Sequence, residues 1–252
     1  MSRFRLIIFL LLFQIQNIFS DAYLDYKSPF HPTVSTKGMV VSQNIESSEI
    51  GTMILESGGN AVDAAVAVGF SLATTLPRAG NIGGGGFMLV YISETKELFS
   101  IDYRSRSSLN ANLIDLFGSK SPAQIEDGDY DLTKYSYKAS AVPGTVYGLL
   151  EAHERFGKLP LDEIMQPVIN QAKDGIIVSY DLHNAIGSSN QLKKDPESRK
   201  IYFQDNRPVA IGSLLKRPDL ANTFEAIAKD GKKGFYEGWV AEKIQSSMKD
   251  NI

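Results

Sequence analysis

"NIGGGGFMLVYISETKELFSIDYR", Asn81 to Arg104, is the stretch on which the fold turns. Four consecutive glycines, Gly83 to Gly86, run straight into the apolar segment Phe87–Ile92. "SETK" (93–96) reads as a hairpin turn, and "ELFSIDYR" (97–104) as a returning strand that ends on an arginine. The glycines raise the question of a phosphate cradle. A Walker loop needs Gly-Lys-Ser/Thr opening a helix, and a dinucleotide fingerprint needs strand, then glycines, then helix. Here the order is helix, glycines, strand, so both fail on context. The alternative is steric: glycines let the backbone enter a crowded layer, or take positive φ, where a side chain would clash. Such a run costs about 0.5–1 kcal/mol per glycine relative to alanine, so it answers a tight constraint. "FMLVYI" shows no polar alternation, which implies a strand covered on both faces.

Working outward, "GMVVSQ" (38–43) is a short strand candidate. "ESSEIGTMILES" (46–57) carries Ile50, Met53 and Ile54 at helical spacing and stops at Gly58-Gly59. Asn60 is a good N-cap for the next helix, and Asp63 lies in its first turn, where a negative charge suits the helix dipole. That helix, Ala61 to about Thr75, is almost all Ala, Val, Leu, Phe and Gly, and Pro77 ends it. A helix apolar on every face is expected to be buried on every face.

Residues 105–135 are rich in Ser, Asn and Asp and read as loop with short helical pieces. "SAVPGTVYGLLEAHERFG" (140–157) and "LPLDEIMQPVINQAKDG" (159–175) each read as a helix stopped by glycine, together a helical hairpin outside the sheet. Residues 185–215 are polar and weakly patterned, and "GFYEGWVAEKIQSSMK" (234–249) reads as one amphipathic helix. No fixed-period repeat is present. The order of elements gives an α+β class and not a strict βαβ alternation.

Composition narrows the function. Of 252 residues, 43% are hydrophobic and 22% charged, which fits a packed core. The absence of cysteine excludes a disulfide framework, a thiolate nucleophile and a Cys-ligated metal. The formal net charge is −3, and basic runs are as short as "LKKD" and "KDGKKG". Nucleic-acid binding therefore has no electrostatic footprint. "MSRFRLIIFLLLFQIQNIFSDA" places Arg3 and Arg5 before the apolar run Leu6–Phe13, then small Ser20 and Asp21. This is the layout of a secretory signal over residues 1–20, too short for the roughly 20 apolar residues of a membrane span. An N-terminal anchor or a buried first helix is the alternative. Export to a periplasmic or extracellular location is the expectation.

"GGNAVDAAVAVGFSL" (58–72), "GNIGGGGFMLVY" (80–91), "IDYR" (101–104), "AVPGTVYGLLEAHERFG" (141–157) and "QPVINQAKDGIIVS" (166–179) occur in this order. Together they resemble the gamma-glutamyltransferase family. The resemblance implies an N-terminal-nucleophile hydrolase fold, a four-layer αββα sandwich, incomplete in this chain. It implies an exported proenzyme that cuts itself, freeing a threonine whose own α-amine is its general base. That threonine attacks gamma-glutamyl amides and passes the acyl group to water, amino acids or peptides. No cofactor and no metal are expected, and His31, His153 and His183 need no catalytic role.

Arg104 matches the family's arginine at the end of this hairpin, which binds the α-carboxylate of the glutamyl substrate. A guanidinium fork can pair both carboxylate oxygens. From the residues alone, a surface salt bridge is the equal alternative. Many relatives follow the arginine with Glu and then Ala-Pro, whereas this chain has Ser105, Arg106 and Ser107, and Arg106 is a competitor for the role. Where relatives often carry a "HPLAS"-like run, this chain has "QNIESS" (43–48).

Nothing after Lys249 resembles the processing threonine. Thr145 lies inside the chain, opens a helix and has no free amine. The expectation is therefore residues 21–252 as the N-terminal portion of the large subunit. Such a portion has no catalytic residue of its own, pairs with the small subunit of the same precursor, and is poorly stable alone because Ala61–Thr75 lacks cover. A non-catalytic domain binding amino-acid-like ligands or a partner chain, and a fragment of a related acylase, are the competing readings.

Overall fold

The structure is a computed structural model that describes residues 33–109, 111–112, 117–118, 120–126 and 136–251. The expected signal segment 1–20 and parts of the 105–135 loop lie outside the described residues. The chain divides into Met1–Gly38 and Met39–Ile252. Within the first unit, the Gly38 N–H donates to Ser35 Oγ at 3.4 Å. All described helices and strands belong to the second.

Helix α1, Ile45–Glu56, starts at Asn44, whose side chain accepts the Ser47 N–H. It ends at Ser57, and Gly58 follows at φ 91°, a conformation that suits glycine. Helix α2, Ala61–Thr75, has the expected cap and more. Asn60 Oδ1 accepts the Val62 and Asp63 N–H groups, and Asp63 Oδ2 accepts the Asn60 N–H at 2.8 Å. The same carboxylate accepts the Lys158 and Leu159 N–H groups, and Asn60 Nδ2 donates to the Phe156 carbonyl. One fully buried carboxylate therefore ties the start of α2 to the turn after the next long helix.

Helix α2 is the centre of the core. Helices α1, α3 (Thr145–Phe156) and α4 (Leu161–Asp174) pack around it. Only Ala61, Ala65, Gly69 and Leu72, one stripe along it, escape full burial. The helix expected to lack cover is thus largely covered within this chain. Its Ser71 hydroxyl lies 2.8 Å from Ser47 Oγ and 2.7 Å from Gln171 Oε1, a buried hydroxyl chain that joins α1, α2 and α4.

Strands β1 (Phe87–Ile92) and β2 (Glu97–Asp102) form an antiparallel hairpin in which Val90 faces Phe99 and Met88 faces Ile101. These inner residues meet the helical core. The outer residues Phe87, Leu89, Tyr91 and Leu98 are 62–72% exposed. The expectation of cover on both faces is therefore corrected: within this chain one face is covered and one apolar face is open. An unbroken apolar run records that both faces are apolar, not what covers them.

Three further expectations are revised. Residues 38–43 form no strand, because no described segment pairs with them. Helix α4 packs on α2 and on α8 (Pro218–Asp230), not chiefly back on α3, so the two helices are no isolated hairpin. The polar stretch 185–215 is structured. Helices α5 (Tyr180–Ser188), α6 (Asn190–Lys194) and α7 (Pro196–Tyr202) surround a second small core. With them stands the hairpin of β4 (Phe203–Gln204) and β5 (Arg207–Pro208), turned by Asp205 and Asn206, both at positive φ. Strand β3 (Ile176–Ile177) pairs with β6 (Leu214–Leu215). The final amphipathic helix is two helices, α9 (Lys233–Tyr236) and α10 (Gly238–Asn251), because Glu237 between them is extended and Gly238 opens the second at φ 66°. No helix among the described residues is long and apolar enough to cross a membrane.

Candidate active-site cleft

The chain leaving β2 runs on through Tyr103, Arg104, Ser105 and Arg106. It is held at both ends. The Tyr103 N–H donates to the Gly86 carbonyl at 3.0 Å. The Arg106 and Val142 backbones exchange hydrogen bonds at 3.1 and 2.7 Å. Beside it, the Gly144 and Thr145 N–H groups both donate to the Gly84 carbonyl.

Tyr103 explains the glycines. A β-carbon on Gly85 would lie 2.6 Å from the Tyr103 carbonyl oxygen, and one on Gly86 would lie 2.8 Å from its ring. On Gly144 it would lie 2.0 Å from that oxygen, and on Gly148 2.0 Å from Cγ of the ring. None of Gly83–Gly86 takes positive φ. Gly85 and Gly86 are a close-approach device, and "PGTVYG" supplies the other wall of the same slot. Gly83 and Gly84 are not crowded by the polypeptide beyond Asn81.

Over this slot lies a cleft of about 390 Å³ lined by Asp102, Tyr103, Arg104, Arg106, Val142, Pro143, Gly144, Tyr147 and Tyr236. Arg104, at the end of the hairpin, stands in it, with its N–H donating to Asp102 Oδ1 at 3.0 Å. Arg106 stands in the same cleft. Among the described residues neither guanidinium has an ion-pair partner.

The far wall is a clamp that sequence reading missed. Tyr236 Oη donates to the Pro143 carbonyl at 2.8 Å and accepts the Tyr147 N–H at 3.0 Å. The two tyrosine rings meet edge to face at 6.4 Å. Lys232 Nζ lies 4.3 Å from the centre of the Tyr147 ring and donates to Glu151 and Glu154 at 2.8 and 2.7 Å. Burial raises the Tyr103 and Tyr236 phenols above their ordinary value. Both therefore stay protonated at neutral pH, and Tyr236 stays a donor. A signal for Tyr103 was present, since paired glycines in two distant motifs imply one bulky neighbour. None was present for Tyr236.

His153 and His183 are packing residues: a ring nitrogen of each lies 2.8 Å from a backbone carbonyl, of Leu159 and Val209. Among the described residues no cluster of His, Asp or Glu is placed to hold a metal. Thr145 opens α3, as expected.

Residues 47–251 match the family model described as Gamma-glutamyltranspeptidase. The chain is 39% identical over 227 residues to the glutathione hydrolase proenzyme of Escherichia coli (strain K12), covering 88% of this chain and 38% of that protein. Among solved structures it resembles gamma-glutamyltranspeptidase from Helicobacter pylori (TM-score 0.81, 34% identity, 88% of this chain and 62% of that one). It also resembles the Pseudomonas nitroreducens enzyme (TM-score 0.74, 36% identity, 86% and 62%). The chain thus spans about two fifths of the length of the curated relatives it matches. The α+β arrangement is that of the N-terminal-nucleophile hydrolases, as the resemblance implied. On motif order, fold and extent of match, the chain belongs to the gamma-glutamyltranspeptidase family.

Proposed function

We propose that this chain is part of a gamma-glutamyltransferase or glutathione hydrolase proenzyme, and that Arg104 anchors the α-carboxylate of the gamma-glutamyl substrate. The observation that carries the reading is the Arg104 guanidinium, without an ion-pair partner among the described residues, in a cleft whose backbone is held on both sides. A guanidinium fork in an open cleft suits a planar carboxylate. The nucleophile is supplied by another segment of the precursor, because Thr145, which opens α3 beside the cleft, is mid-chain. The open apolar face of β1–β2 is the surface such a segment would cover. Residues 1–20 would direct export to a periplasmic or extracellular site.

The test is steady-state kinetics of Arg104→Ala in the full-length protein with a gamma-glutamyl anilide. Losing one desolvated charge pair costs about 2–5 kcal/mol of binding, so KM should rise by more than about tenfold. A KM that stays at the wild-type value would remove Arg104 from this role.

A further inference from the structure

Arg106 is the second cation of the cleft. Asp102, Arg104 and Arg106 are exposed, whereas Tyr103 and Ser105 between them are half-buried. This is the period-two alternation of extended chain, which puts the two arginines on one side, roughly 7 Å apart along the backbone. The Tyr103–Gly86 and Arg106–Val142 backbone pairs hold that register. The one acid lining the cleft among the described residues, Asp102, accepts the Arg104 N–H and cannot neutralise two guanidinium groups. Helix α3 begins at the same cleft with no acid in its first turn, so no carboxylate there offsets its positive end. The cleft therefore carries more positive charge than one carboxylate requires.

Resting on the proposed function, we infer that Arg106 binds a second carboxylate of the same substrate. The cleft thereby favours gamma-glutamyl donors whose leaving group is itself an anion, such as an amino acid or peptide, over neutral amides. With the α-carboxylate on Arg104, a donor lying along the extended chain brings its leaving group toward Arg106. Two flexible arginine arms on one face can meet both ends. Arg106 needs no part in the acyl transfer itself, because a charge on the leaving group is far from the bond that breaks.

The test compares gamma-glutamylglutamate with gamma-glutamyl-4-nitroanilide in the full-length protein. Arg106→Ala should raise KM for the dipeptide about tenfold more than KM for the anilide, the scale of one charged hydrogen bond. Arg106→Lys should recover part of that difference, because it keeps the charge and loses the fork. Melting temperatures matched to wild type exclude misfolding, with Arg106→Gln as the substitute if the alanine variant does not fold. If Arg104→Ala raises both KM values while Arg106→Ala moves them equally or not at all, the second-carboxylate role is overturned and the Arg104 reading stands. If the wild type cleaves neither donor, the function itself is overturned, and this inference with it.

Discussion

Gly148 of α3 lies against the ring of Tyr103: a β-carbon there would sit 2.0 Å from Tyr103 Cγ. The residue before Arg104 is thus positioned by a missing side chain on a helix more than forty residues away. Gly148→Ala should force the ring out of its slot. We expect a loss of about 1–3 kcal/mol or more, with a raised KM for gamma-glutamyl substrates, because the Arg104 backbone moves with its neighbour. Gly83→Ala is the contrast: its nearest outside atom is 3.5 Å away, so stability should change by less than about 1 kcal/mol. Urea denaturation and kinetics of the two variants check the pair. Equal effects would refute the slot.

Asp63 is a buried carboxylate whose partners include the N–H groups of Asn60, Lys158 and Leu159. Asp63→Asn keeps the shape but removes the charge and turns an NH₂ toward donors. A destabilisation of roughly 2–4 kcal/mol is expected. A denaturation midpoint unchanged from wild type would show that the carboxylate is not what joins α2 to the 157–159 turn.

The Lys232 clamp should respond to pH. The Lys232 hydrogen bond, with its charge, holds the Glu151 carboxyl below its ordinary value. Burial alone would lower Lys232, but its bonds to Glu151 and Glu154, with their charges, raise it overall. The Glu151 contribution is complete above the ordinary carboxylate range and is lost as pH falls through the lowered value. The Lys232 contribution is complete below the ordinary lysine range and is lost as pH rises through the raised value. The pair is partly exposed, so it contributes no more than about 1 kcal/mol at neutral pH. Thermal melts should show the gap between wild type and Lys232→Gln shrinking from about pH 7 to about pH 3. A gap constant over that span would assign the effect to packing alone.

Leu89 tests the open face of the hairpin. Leu89→Lys removes exposed apolar surface and should change the stability of this chain expressed alone by less than about 0.5 kcal/mol. If another segment of the precursor covers β1–β2, the same change in the full-length protein buries an unpaired charge, and melting temperature and activity should both fall. A full-length variant as stable and active as wild type would mean that nothing covers this face.

Helices α1 to α4 could be read from the sequence because their signals are local. Asn60 and Asp63 cap α2 within one turn, and Gly58, Gly157 and Gly175 stop helices where the chain must turn. The hairpin and its turn could be read for the same reason. The family was legible in the order of the motifs. What covers each face was not, since Phe87, Leu89 and Tyr91 read as covered and stand open. Nor was the 185–215 region, whose short helices are held by a small core assembled from distant residues, including Ile176, Tyr202 and Leu215. The slot around Tyr103 and the Tyr236–Pro143 clamp join segments about 45 and 93 residues apart. Capping, turn geometry and periodicity act between near neighbours along the chain and are written there. Burial, close approach and the pairing of charges depend on which distant segments meet, and packing alone sets that.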